Sequence, residues 1–87
     1  MFLEVQPYEY EMTPTNNFEI RNLDHCTHFM RFNSSYCDHD GDYNNIFGIR
    51  FYFENNSGKQ FTRSLIRHVE QERDEMYLDL MRKLCHD

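Results

Sequence analysis

Basic residues are scarce in this chain: 9 Lys+Arg stand against 15 Asp+Glu, leaving a formal net charge of -6. Binding along a phosphate backbone needs clustered Lys and Arg, so direct nucleic-acid binding is not expected. Long apolar runs are missing too. The longest falls far short of the roughly 20 residues that cross a bilayer, so no membrane partner is expected either. The opening residues, Met1-Phe2-Leu3-Glu4-Val5-Gln6-Pro7, have no basic stretch, and their apolar run stops at Glu4, unlike a secretory signal. Cysteine is limited to Cys26, Cys37 and Cys85. An odd count without a secretory signal does not read as a disulfide framework. The expected compartment is a reducing cytoplasm. The sequons at Asn33 and Asn55 are then incidental.

Tryptophan is absent, yet 8 Phe and 6 Tyr are present. At 39% hydrophobic and 28% charged, the composition fits a folded soluble protein rather than a disordered one. A length of 87 residues predicts one domain, 1–87, with a modest core that can lean on a partner. The large aromatic side chains offset that weakness.

Charge is unevenly distributed. Residues 1–24 carry Glu4, Glu9, Glu11, Glu19 and Asp24 against Arg21 alone, and residues 25–45 carry Asp38, Asp40 and Asp42 against Arg31. Residues 46–69 reverse the sign, with Arg50, Lys59, Arg63 and Arg67 against Glu54, and residues 70–87 are acidic again. Such a pattern either neutralises itself in the fold or leaves an acidic face for a basic partner.

Alternation marks the strands. Phe47, Ile49, Phe51 and Phe53 point to one face, with Arg50 and Tyr52 on the other. Asn55-Asn56-Ser57-Gly58 is turn chemistry, and Lys59-Gln60-Phe61 forms a short return strand. Tyr8, Tyr10 and Met12 alternate with Glu9 and Glu11, with Leu3 and Val5 in the opposite phase and Pro7 at the change. Phe18 and Ile20 alternate with Glu19 and Arg21, Thr13 to Asn17 form a turn, and Cys26 to Phe32 is a further strand. From about Ser64 to Leu84 the period is helical: Leu65, Ile66, Val69, Met76, Tyr77, Leu80 and Leu84 share a stripe. Arg73 intrudes on that stripe, so it either snorkels or pairs with a carboxylate. Asp79 and Lys83 suit a helical ion pair, and Leu78 lies opposite the stripe. The expected fold is α+β, a three- to four-stranded antiparallel sheet packed against one long C-terminal helix.

Few residue clusters suggest chemistry. Cys26-x-His28 and Cys37-x-His39 repeat one pattern, and two Cys with two His would satisfy tetrahedral zinc, giving a small zinc-binding structural domain as the alternative. The spacing is not that of a zinc knuckle, and the expectation is no metal and no cofactor. Asp38, Asp40, Asp42 and Gly41 resemble a calcium loop, but Tyr43 stands where that loop needs Gly and Ile49 where it needs Glu. His28 or His39 could serve as a base, yet no nucleophile motif, phosphate loop or paired carboxylates accompany them. No enzyme activity is expected.

Tyrosines interleaved with carboxylates are the most suggestive feature. Tyr8, Glu9, Tyr10, Glu11, Tyr36, Asp38, Asp40, Asp42 and Tyr43 make an acidic-aromatic set, and Tyr is enriched where proteins bind one another. Against a basic groove the carboxylates would imitate phosphates while the rings fill apolar pockets. In general character, being tiny, acidic, aromatic-rich and without a catalytic motif, the chain resembles small phage-encoded inhibitors of host enzymes or defence nucleases, anti-CRISPR proteins among them. That resemblance implies a protein partner, a host enzyme with a basic nucleic-acid or nucleotide site. A homodimeric accessory protein, paired through a sheet edge or through Leu78, is the structural alternative.

Overall fold

The computed structural model describes residues 1–7 and 18–84. In chain order the elements are β1 (Phe2–Val5), β2 (Glu19–Asn22), a 3-10 turn (Leu23–His25), β3 (Cys26–Cys37), β4 (Tyr43–Glu54), β5 (Gln60–Arg67) and α1 (Glu70–Leu84). Strands β3, β4 and β5 form an antiparallel sheet in that order, and β1 pairs with β2 as a separate antiparallel ribbon. With one helix against five strands among the described residues, the α+β expectation holds.

The alternation in β4 sets the layers. Ile49, Phe51 and Phe53 are buried on the face that meets α1, together with Leu65 of β5, Val5 of β1, Leu23 of the 3-10 turn and Leu80 of α1. Ring contacts extend this core at both ends, with Phe29 tilted against Phe51 at 5.8 Å and Phe61 stacked on Phe53 at 5.4 Å. Phe47, the first of the alternating series, is only half-buried and lies under the Arg73 guanidinium at 5.6 Å. On the opposite face Gly48 makes room for a ring: a Cβ there would sit 2.3 Å from Phe32, whose face in turn carries Arg50 at 4.5 Å.

Three expectations about the elements need correction. The hairpin strands are longer than the alternation suggested, because β3 and β4 continue as polar, half-exposed strands out to Cys37 and Tyr43. Residues 64–67 are strand rather than helix. Leu65 pairs with Ile49 and Ile66 with Gly48, while the main chain of Ser64 exchanges both hydrogen bonds with Gln6. A short apolar run fits either period, and here pairing against β4 and Gln6 decides it. The helix therefore begins at Glu70, and Val69, expected in the core, is exposed. The strand expected over Tyr8 to Met12 and the turn at Thr13 to Asn17 lie outside the described residues.

The ribbon is tied to the sheet by charge as well as by Val5. Glu19 accepts from Arg21 Nε at 3.0 Å and from Arg63 Nε of β5. Arg21 first, and then Arg63, hold the Glu19 carboxyl below its ordinary range, against the opposing effect of burial. A lowered carboxyl stabilises the fold above the pKa it has when unfolded, and that stability is lost as pH falls through the folded value. Melting temperature should therefore drop as pH is lowered below about 4. Glu19→Gln should be less stable at neutral pH and show a shallower acid limb, which thermal melts across pH 2–7 would measure.

Candidate protein-binding surface

The two hairpin turns share one chemistry. In residues 55–59, Asn55 Oδ1 accepts from the Ser57 and Lys59 amides at 3.0 and 2.9 Å, and Gly58 takes φ +81°. In residues 38–42, Asp38 Oδ1 accepts from the Asp40 and Asp42 amides at 2.9 and 3.0 Å, and Gly41 takes φ +84°. An Asx residue in first place bonds the amides two and four residues on, and glycine in fourth place accepts the left-handed conformation without a Cβ clash. The second carboxylate oxygen of Asp38 accepts from Asn44 at 3.1 Å. Asn44 first, then the Asp42, Asp40 and Gly41 amides, hold the Asp38 carboxyl below its ordinary range. The calcium-like spacing is thus hairpin chemistry.

Asp38 is consequently a structural residue, and its neighbours are the ones presented outward. Asp40 and Asp42 are exposed, and Tyr43 at 80% is the most exposed large hydrophobic side chain described. Tyr36 pairs with Asn44 and Tyr43 with Cys37, adjacent rungs whose side chains leave opposite faces of the hairpin. A shallow groove of about 570 Å³ is lined by Asn33, Ser34, Ser35, Tyr36, Cys37, Tyr43 and Asn45 along the same hairpin end. Between Arg31 and Arg50 the chain contains three Asp and no Lys or Arg. Tyr8, Glu9, Tyr10 and Glu11, the other part of the expected surface, lie outside the described residues.

Elsewhere several charges are paired. Arg31 reaches Asp74 at 3.4 Å, Arg73 the same carboxylate at 2.7 Å, and Lys83 pairs with Asp79 at 3.0 Å as the helical spacing predicted. Ion pairs thus tie the ribbon and α1 to the sheet, whereas Asp40 and Asp42 take part in none among the described residues.

The zinc arrangement is overturned by strand geometry. Cys26 and Cys37 are the first and last residues of β3, so at about 3.3 Å per residue they are roughly 36 Å apart. Cys26, His28, Cys37 and His39 cannot meet at one ion. Cys26 Sγ instead donates to the His28 carbonyl at 2.9 Å, and His28 stacks on Tyr52 at 4.1 Å with its Nδ1 3.2 Å from Thr27 Oγ1. Among the described residues no group of three or more His, Cys, Asp or Glu side chains converges.

Sequence reasoning missed Asn44, which braces Asp38, and it treated Asp38 as one of the outward carboxylates. The signal was present: both 38–42 and 55–59 read Asx-x-x-Gly-x, so the turn already recognised at Asn55 should have assigned the same role to Asp38. Compared with known proteins, the chain matches no family model, no curated protein and no solved structure. Among the described residues no helix is long and apolar enough to cross a membrane.

Proposed function

We propose that this chain is a non-enzymatic protein-binding protein whose β3–β4 turn enters a basic nucleic-acid or nucleotide site of a host enzyme, in the manner of small phage-encoded inhibitors. The observation that carries this reading is the turn itself: Asp40, Asp42 and Tyr43 stand exposed on a loop already fixed by Asp38, Asn44 and Gly41. Pre-ordering lowers the entropy lost on docking, and two exposed carboxylates that join no ion pair among the described residues offer charge that a basic surface can match. Tyr43 adds a large amphipathic ring of the kind that anchors interfaces.

The test is capture from host lysate at low salt, followed by a salt series on whatever is retained. A basic-site partner should bind at low ionic strength and be released progressively as salt rises. Asp40→Asn with Asp42→Asn should weaken capture roughly tenfold or more, since complementary charge sets both encounter rate and register. These exposed side chains bear no fold-specifying contacts, so thermal melting should stay within a degree or two of the wild type. A retained partner that binds the double variant as tightly as the wild type would remove the turn from the interface.

A further inference from the structure

The β1–β2 ribbon has two faces. On the inner one Val5 and Leu3 meet the core, Glu19 meets Arg63, and Arg21 lies over the Phe61 ring at 5.0 Å. Phe2 and Glu4 alternate with those residues, and the register sets Phe2 opposite Asn22 and Glu4 opposite Ile20. Phe18 stands just outside β2, two residues before Ile20, the spacing that an extended chain puts on one face. All three apolar side chains are open: Phe2 is 70% exposed, Ile20 71% and Phe18 55%. Large apolar groups scattered singly need no explanation, but three sharing one face of a small ribbon make a patch.

We infer that this outer face of the ribbon, Phe2, Phe18 and Ile20, is the contact through which two copies of the chain form a symmetric dimer. Area and charge both select a second copy. Taking about 200 Å² for a large apolar side chain, the exposed fractions give on the order of 350–400 Å² of apolar surface. A stable interface takes about 800 Å² from each partner with a largely apolar centre, so the stripe supplies that centre, with Glu4 and Asn22 as its polar rim. One patch meeting its own copy is the arrangement a two-fold axis produces.

Charge points the same way. The chain carries a net charge of -6, so two copies repel over most of their surface. At the ribbon most charges are paired: the Met1 amine lies 3.4 Å from Asp24, and Glu19 is matched by Arg21 and Arg63, which leaves the exposed Glu4 as the one unmatched charge among its described residues. The uncompensated turn is far away. Arg21 sits over Phe61, which pairs with Phe53, ten residues along β4 from Tyr43, or roughly 33 Å. Dimerisation at the ribbon keeps the two acidic turns apart and leaves both free to bind, which gives the dimer two-site avidity for a partner that presents its site twice.

The test is sedimentation velocity of the full chain from 5 to 500 µM, with melting temperature measured beside it. The wild type should shift from 10.8 kDa toward twice that mass as concentration rises. Ile20→Lys should remain monomeric throughout with an unchanged melt, whereas Leu78→Lys, on the exposed side of α1, should dimerise like the wild type. If Ile20→Lys disturbs the fold, Phe2→Ser makes the same test at a side chain 70% exposed. A wild type that stays monomeric at 500 µM overturns the inference, as would a folded Ile20→Lys or Phe2→Ser that still dimerises. Neither result bears on the acidic turn, whose variants are read by partner capture.

Discussion

Phe51→Ala is expected to lower stability by about 3–5 kcal/mol, the cost of a lost ring and the cavity it leaves. Phe51 is fully buried at the middle of the central strand, with Phe29 against its ring and Leu80 of α1 in the same core. Both neighbours on β3 and β5 are fixed in register, at Phe29 and Arg63, so the site has little freedom to collapse. A small domain has on the order of 5–10 kcal/mol in all, so the variant should be largely unfolded at 37 °C. Urea unfolding followed by circular dichroism measures this. Leu78→Ala, on an exposed helical position, should change stability by less than about 1 kcal/mol in the same assay. Equal stability of Phe51→Ala and wild type would mean that the buried face of β4 is wrongly assigned.

Arg73→Ala should cost nearly as much, about 2–4 kcal/mol, although it removes a charged side chain from a helix. The guanidinium is only 4% exposed and reaches across to the hairpin. It donates to the Phe32 carbonyl at 2.8 Å, Asn33 Oδ1 at 2.9 Å and the Gly48 carbonyl at 3.4 Å, while Nε binds Asp74 at 2.7 Å. Truncation takes a donor from the buried Gly48 carbonyl and the part-buried Phe32 carbonyl, and removes the main polar tie between α1 and the outer part of β3–β4. Arg73→Lys keeps the charge but not the planar fork, so it should recover less than half of the loss. Asp74→Asn should be milder than Arg73→Ala, because the carbonyl contacts of Arg73 survive it. Arg73→Ala within 0.5 kcal/mol of wild type would show that the helix is held by its apolar stripe alone.

These two residues also mark what the sequence could and could not reveal. Strict alternation put Ile49, Phe51 and Phe53 on a single face, and a buried strand is the one arrangement that gives such alternation a purpose. The helical stripe through Met76, Tyr77, Leu80 and Leu84 was equally legible. Arg73 was visible only as a misfit in that stripe, since its acceptors are main-chain carbonyls 25 and 41 residues away, which no local pattern encodes. The boundary at Ser64 failed for a related reason. Leu65 and Ile66 fit either period, and the pairing that settles them comes from β4 and from Gln6 at the other end of the chain.

The acidic turn was legible in composition and not in role. Asp38, Asp40 and Asp42 look alike in the sequence, but one holds the loop and two face outward. That difference depends on which residue opens the turn, and Gly41 in fourth place identifies Asp38. The zinc pattern misled for the opposite reason. Two short Cys-x-His units look close when written as a line, whereas a single extended strand of 12 residues separates them by almost its full length.

The central proposal is that the Asp40, Asp42 and Tyr43 surface docks on a basic partner. Side-by-side capture with wild type and with Asp40→Asn/Asp42→Asn/Tyr43→Ala, at matched melting temperature, tests it most directly. The account predicts that one host protein is retained by the wild type at low salt and absent from the triple variant. It also predicts that adding the wild type, but not the variant, blocks that protein's binding of its own anionic ligand. Equal retention by both baits, with the partner's ligand site still open, would contradict it.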